Sequence, residues 1–345
     1  MDIIWSFLFY AIFCVLFFSL SLYISIPAML KIIPSSVNYG VFRNYGYFRS
    51  PRLDKPAEAW KLEKVENIFI KLDGKQRLGL WLMSPLYQPC QQEIKRIVLY
   101  CHGNGSHRAR KYRLEMYRFL RENGFHVVTF DYRGFADSKG KASERNAVDD
   151  IITVYSWMLS HDMITDDSQV LLLGHSLGSS LATQALCKMQ ARQDLPRLPD
   201  GLILQAPFDK LGDVAKSYPL ARSLSSWYPG NLFANLLTQA FQKVQLNLNT
   251  VNVLPLVKCP VLIFHAEDDT NVNISLGQSL FASACDAIDS RCSNLKYIKF
   301  VSFKRTHGIG HNFIYKYSGL QAILDDFCKT LENPFPVQEK IAIQL

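Results

Sequence analysis

Residues 3–30 form an unbroken uncharged run, rich in Phe, Leu and Ile and bounded by Asp2 and Lys31. About 20 apolar residues rising 1.5 Å each cross a hydrocarbon core, so this run predicts one membrane-spanning helix. A cleaved signal peptide pairs a basic start with an apolar stretch of about 7 to 15 residues. Here the start is Met1-Asp2 and the run is longer, which favours a retained anchor ending near Pro27 and Lys31. Residues 31–64 carry no clear periodicity and read as an irregular connecting segment.

From residue 65 the pattern changes. Ile68-Phe69-Ile70-Lys71-Leu72 and Leu78-Gly79-Leu80-Trp81-Leu82 flank Asp73-Gly74 and predict a β-hairpin. Short continuous apolar runs follow at 97–100, 127–130, 170–173, 202–204 and 261–264, the signature of parallel strands buried on both faces. Helical patterns lie between or after them at 111–123, 146–160, 177–190 and 274–287, with Gly124 as a helix stop. Residues 297–301 predict a further strand and 320–331 a final helix. The alternation implies the α/β class, with one mostly parallel central sheet and helices on both faces over residues 65–335. Residues 209–257 interrupt it with Tyr218, Trp227, Tyr228, Leu232, Phe233, Leu236, Leu237 and Phe241. A cap insertion over a pocket and core packing under a surface excursion account for them equally well. Residues 336–345 read as a C-terminal tail, and no internal repeat is present.

Composition narrows the class. With 48% hydrophobic and 20% charged residues the chain is no disordered tether, and 18 Gly with 15 Pro exclude a collagen-like or linker-dominated protein. The net charge of +8 favours acidic lipid headgroups or nucleic acid. The chain has no dense Lys/Arg run and no zinc-finger spacing, so no nucleic-acid partner is expected. Lys31, Arg43, Arg49, Arg52 and Lys55 follow the span, and the positive-inside rule puts the large domain in the cytoplasm. Several of the 8 cysteines sit in apolar patterns and read as buried thiols. Only Cys285 and Cys292 are close enough in sequence to suggest a local bridge. An Asn273-Ile274-Ser275 sequon favours a lumenal domain if it is glycosylated.

The strongest chemical signal is Gly174-His175-Ser176-Leu177-Gly178, between an apolar strand and a helix. A serine on such a sharp turn presents its hydroxyl at the sheet's carboxyl edge, beside a helix amino-terminus that favours negative charge. A serine hydroxyl needs a base and an orienting acid, and behind this elbow they follow in the order acid, then His. His265, His307 and His311 follow the serine, and His265 comes before the acidic cluster. His311, after Gly308-Ile309-Gly310, is the preferred base and His307 its rival. Asp269, in Glu267-Asp268-Asp269 after a buried strand, is the preferred acid, ahead of Asp268 and the more distant Asp209. The oxyanion needs preorganised N–H donors, and Leu177 with Asn104 in His102-Gly103-Asn104-Gly105 are the candidates. No metal or organic cofactor is implied.

These residues resemble the α/β-hydrolase family over roughly 90–331, and within it the membrane-anchored lipases grouped with α/β-hydrolase domain-containing protein 12. The similar stretches are Leu99-Tyr100-Cys101-His102-Gly103-Asn104, Val127-Val128-Thr129-Phe130-Asp131-Tyr132-Arg133-Gly134, the serine elbow, His265-Ala266-Glu267-Asp268-Asp269 and His311-Asn312-Phe313-Ile314-Tyr315-Lys316. The resemblance implies an α/β-hydrolase fold, Ser176 as nucleophile, Asp269 as acid and His311 as base. It also implies an endoplasmic-reticulum hydrolase of lysophosphatidylserine and monoacylglycerols with a lumenal active site, opposite to the side favoured by the charge count. Ala136 departs from the family, standing where glycine is usual, and so does Thr270-Asn271-Val272-Asn273, in place of a proline-flanked Val-Val-Pro. The region before the anchor is shorter than in the family.

The expectation is thus a single-pass membrane serine hydrolase acting on a single-chain lipid substrate, with the membrane as its setting. An acyl-protein thioesterase or serine peptidase using the same three residues is the alternative. A catalytically silent membrane adaptor is a second. The sequence does not identify any protein partner.

Overall fold

Short apolar runs bounded by turns become strands here because helices cover the sheet on both faces, leaving no side of a strand in water. The structure, a computed structural model, describes residues 2–42, 52–87, 94–217, 228, 232–332 and 339–345. Arg43, Arg49, Cys90, Tyr218 and Trp227 lie outside the described residues. The strands are β1 (Val65–Lys71), β2 (Arg77–Met83), β3 (Arg96–Cys101), β4 (Phe125–Phe130), β5 (Gln169–His175), β6 (Gly201–Gln205), β7 (Val261–Ala266), β8 (Tyr297–Phe303) and β9 (Glu339–Gln344). They form one sheet in the order β1-β2-β4-β3-β5-β6-β7-β8-β9. The expected hairpin pairs Ile68 with Leu80 and Ile70 with Leu78, and β2 joins β4 antiparallel. All remaining neighbours are parallel.

The period-two alternation of side chains divides the core in two. Ile97, Leu99, Leu202, Leu204 and Ile263 point to one face, under helices Glu144–Ser160, Leu177–Gln190 and Ile274–Asp289. Val98, Tyr100, Ile203, Leu262 and Phe264 point to the other, under Lys111–Glu122 and Leu320–Glu332. Successive residues of one strand therefore serve different cores. Ser143 caps the first of these helices by accepting the Asn146 N–H, which fixes its start two residues earlier than the apolar pattern suggested.

Three expectations need correction. The C-terminal tail is structured from residue 339: β9 pairs parallel with β8 from Tyr297/Glu339 to Ser302/Gln344. An edge strand buries only part of its surface, so Glu339-Lys340-Ile341-Ala342-Ile343-Gln344 lacks the continuous apolar run that marks the inner strands. The connecting segment contains helices Ser36–Phe42 and Pro56–Trp60, with Val37, Phe42, Leu53 and Leu62 buried. The Leu53 carbonyl accepts the indole N–H of buried Trp81 at 2.8 Å, which ties the segment to β2. Cys285 and Cys292 are both free thiols. The interval 209–257 holds helices Leu211–Ser217, Leu232–Lys243 and Thr250–Val253, with Tyr228, Phe233, Leu236 and Phe241 buried.

The N-terminal helix runs Asp2–Ile32, and its segment Trp5–Ile32 is long and apolar enough to cross a membrane.

Candidate active site

The strand–turn–helix context builds the serine's position. Ser176 sits at φ 54 between β5 and helix Leu177–Gln190, in backbone that side-chain-bearing residues rarely adopt. Only glycines fit around it. A Cβ at Gly174 would lie 2.5 Å from the Gly178 carbonyl oxygen, and one at Gly178 would lie 2.1 Å from that of Cys101.

Asp269 lies just past β7 and His311 in the loop after β8, so adjacent parallel strands deliver both to the same sheet edge. His311 Nδ1–H donates to Asp269 Oδ2 at 2.7 Å, which leaves Nε2 as the imidazole's acceptor. Asp269 Oδ1 accepts the N–H groups of Asn271 and Val272, each at 2.9 Å. The turn after the acid is thus closed by the carboxylate itself. Burial acts against the charge on Asp269, but the His265 and His311 rings outweigh it and hold the carboxyl well below its usual range.

The rivals fall elsewhere. Asp268 Oδ1 accepts the Gly310 N–H at 2.9 Å and so holds the backbone of the histidine loop. Asp209 accepts the Lys210 N–H at 2.7 Å and a bond from Ser279 at 3.4 Å. His307 is exposed and meets the Tyr317 ring edge-on at 5.1 Å.

Ser176, Leu177, His311, Asn104 and Gly103 line one cavity of about 430 Å³. Its lining also includes the polar Arg110, Tyr112 and Asn312 and the apolar Phe208, Leu211, Val214 and Phe241. The Asn104 loop is shaped from beneath by Arg113, a buried guanidinium that donates to the carbonyls of Gly103 (2.9 Å), Gly105 (2.9 Å) and His107 (2.8 Å). In a trans peptide the C=O of one residue and the N–H of the next point opposite ways. Holding the Gly103 carbonyl therefore turns the Asn104 N–H away from Arg113.

Sequence reasoning passed over several of these supports. His175 Nε2–H donates to the His311 carbonyl at 2.9 Å, and the two rings lie 4.9 Å apart. Burial, then the neighbouring His311, pushes His175 well below the ordinary imidazole range, so it stays neutral. His265 Nε2–H donates to the Val272 carbonyl at 2.9 Å and lies 3.6 Å from Asp269 Oδ2, behind the acid. Its place at the end of β7, four residues before Asp269, was the available signal. Arg113 carried none, because a charged residue on an amphipathic helix reads as solvated.

Residues 92–252 match the family model described as serine aminopeptidase, S33. A lysophosphatidylserine lipase ABHD12 from Danio rerio is 32% identical over 338 residues, covering 93% of this chain and 84% of that one. The chain belongs to the ABHD12 family. Its Macaca fascicularis member, also named lysophosphatidylserine lipase, is 33% identical over 331 residues, 91% of this chain and 79% of its own. Among solved structures, an α/β hydrolase from Vibrio vulnificus aligns with a TM-score of 0.60 at 18% identity, over 86% of this chain and 92% of that one. That likeness shows the α/β-hydrolase fold. Ala136 adopts φ 45, a left-handed backbone that is costly for a residue with a side chain.

Proposed function

We propose that this chain is a membrane-anchored serine hydrolase that cleaves acyl esters of single-chain lipids, lysophosphatidylserine and monoacylglycerol among them. The observation that carries the reading is the 2.7 Å Asp269–His311 pair sharing a cavity with a serine on a strained elbow. With Nδ1–H committed to Asp269, His311 Nε2 takes the Ser176 proton as the serine oxygen attacks the ester carbonyl. The N–H groups of Leu177 and Asn104 receive the oxyanion. His311 then protonates the leaving glycerol oxygen, and water repeats the sequence on the acyl-enzyme.

The cavity's two characters support an amphiphile. Phe208, Leu211, Val214 and Phe241 suit an acyl chain. Arg110, with its guanidinium 5.4 Å from the centre of the Tyr112 ring, suits a phosphate-bearing headgroup. An aminopeptidase needs a carboxylate for the substrate's ammonium. Among the described residues no Asp or Glu lines the cavity, which favours the lipid ester.

The test uses full-length protein in detergent, with lysophosphatidylserine hydrolysis and fluorophosphonate labelling as readouts. Ser176→Ala is expected to lose labelling and at least about 10³-fold in kcat; retained hydrolysis sinks the reading. The same proposal puts the anchor in the endoplasmic-reticulum membrane with a lumenal domain. Asn273 is exposed at the start of helix Ile274–Asp289, and we expect it to carry a glycan that Asn273→Gln removes. An unmodified Asn273 instead supports the cytoplasmic side that Lys31, Arg43, Arg49, Arg52 and Lys55 favour.

A further inference from the structure

The apolar run 3–30 is longer than a bilayer needs. At 1.5 Å per residue it measures roughly 42 Å against a hydrocarbon core of about 30 Å. The surplus is about eight residues, and it falls where the helix meets the rest of the protein. Trp5 to Phe18 are exposed, whereas Ile26 to Ala28 are half-buried and Leu30 is buried.

About 20 residues along the run, the length that crosses a hydrocarbon core of about 30 Å, a specific joint ties the helix to the rest of the protein. Pro27 has no N–H, so the Tyr23 carbonyl, four residues earlier, loses its helical partner. The Tyr228 hydroxyl donates to that carbonyl at 2.8 Å. The Tyr23 and Tyr228 rings stack at 4.6 Å, and Tyr228 stacks on Phe233 at 5.8 Å. Tyrosines at this depth are what a membrane interface favours.

From the joint, buried apolar side chains of the anchor's end and the following helix pack in the same core as residues that line the catalytic cavity. Leu30, Val37 and Phe42 share one core cluster with Leu211, Phe233 and Phe241. Gly40 and Val41, on the helix just after the anchor, are themselves cavity wall. Phe233 and Phe241 belong to the same helix, about 12 Å apart at 1.5 Å per residue. The Asn104 side chain donates to the Gly40 carbonyl at 3.5 Å, so the oxyanion loop also touches this wall.

We propose that the docked end of the anchor, helix Ser36–Phe42 and helix Leu232–Lys243 form a membrane-facing mouth through which an acyl chain passes directly from the bilayer to Ser176. The occupant is a lipid chain of the adjoining leaflet, because the wall continues the surface of the membrane helix. This rests on the lipid-ester reading and adds the route. A chain taking it keeps its apolar surface out of water throughout.

The mouth can be plugged. A Cβ added at Gly40 meets nothing within 4 Å, so a side chain can start there, and Gly40→Trp places an indole on the cavity wall. Full-length protein in phosphatidylcholine vesicles is assayed on embedded oleoyl lysophosphatidylserine and on water-soluble p-nitrophenyl acetate. The ratio of the two kcat/KM values is expected to fall by about tenfold or more in Gly40→Trp. An unmoved ratio overturns the mouth. A second measurement is independent of that variant: Ser176→Ala protein in the same vesicles is photolysed with a lysophospholipid bearing a diazirine at its acyl terminus. Adducts on residues 23–41 or 232–241 support the route, and adducts confined to Arg110 and Tyr112 overturn it. Failure of the hydrolase reading looks different, because Ser176→Ala then still cleaves both substrates.

Discussion

Replacing Gly178 by alanine tests whether the elbow and the oxyanion loop are one mechanical unit. The new Cβ would sit 2.1 Å from the Cys101 carbonyl oxygen and 2.7 Å from that of His102, both backbone atoms. Ordinary contact begins at 3.4 Å, so helix Leu177–Gln190 and the end of β3 must separate by about 1.3 Å. Neither side gives easily. The helix is buried over most of its length, and Cys101 is in register with Gly174 on the neighbouring strand. Overpacking of this kind costs about 1 to 3 kcal/mol. The displacement also parts the Leu177 N–H, on the helix, from the Asn104 N–H, on the loop after β3. A misplacement of about 1 Å between reacting groups costs about 10²-fold, or about 2.7 kcal/mol of transition-state stabilisation. The assay pairs kcat on a soluble ester with thermal unfolding. Gly178→Ala is expected to lose about 10²-fold in kcat with Tm lower by about 2 to 12 °C. Gly212→Ala is the control, since a Cβ there meets nothing within 4 Å. A Gly178→Ala protein within about threefold of wild type in kcat refutes the coupling.

Three further outcomes are expected. Asp269→Asn keeps an acceptor for the Asn271 and Val272 N–H groups but offers His311 Nδ1 an N–H, which drives the imidazole proton onto Nε2; kcat should fall by about 10⁴ with KM little changed, and a loss under tenfold contradicts the role. Burial alone would push Asp131 up, but the Arg108 guanidinium at 2.5 Å and the His102 ring outweigh it and hold the carboxyl at about 2 instead of 3.8. Its contribution is complete above about pH 4 and lost as pH falls through 2, so the stability gap between wild type and Asp131→Asn should shrink by about 2 kcal/mol over that window in denaturant titrations; a constant gap excludes the linkage. Ala136→Gly relieves a left-handed backbone at the cost of a freer unfolded chain, and should raise stability by about 0.5 to 1 kcal/mol; a lower Tm than wild type counts against strain at this turn.

What the sequence disclosed was local chemistry. The inner strands are legible because burial on both faces leaves runs such as Val170-Leu171-Leu172-Leu173 with no polar interruption. The elbow is legible because two glycines, a serine and a helix start lie within five residues. Asp269 and Asp268 are adjacent, and only folding separates the one that meets the imidazole from the one that holds Gly310. β9 was hidden because an edge strand pairs along one side only. Helix Ser36–Phe42 was hidden because seven residues interrupted by a glycine give no measurable period, and its burial depends on partners in the interval 209–257, far along the chain.

Two buried arginines beneath the same sheet edge show how the fold divides its charges. Arg108 is neutralised where it sits, with Asp131 at 2.5 Å and Asp137 at 2.6 Å, and it locks the end of β4 to the turn that follows. Its charge is spent on structure. Arg113 has carbonyl partners instead, and among the described residues no ion pair joins it to a carboxylate. A buried guanidinium whose direct partners are carbonyl dipoles keeps a positive potential around it, in surroundings where charges are poorly screened. That potential lowers the proton affinity of His102 after burial, and of His175 after burial and the neighbouring His311. It also lies directly behind the loop whose Asn104 N–H faces away from it. A developing oxyanion would thus meet an N–H dipole backed by a full positive charge, both fixed before substrate arrives. Such preorganisation is most effective where water is excluded. Helix Ser36–Phe42 serves that end, because Gly40 and Val41 are cavity wall and the Gly40 carbonyl accepts the Asn104 side chain.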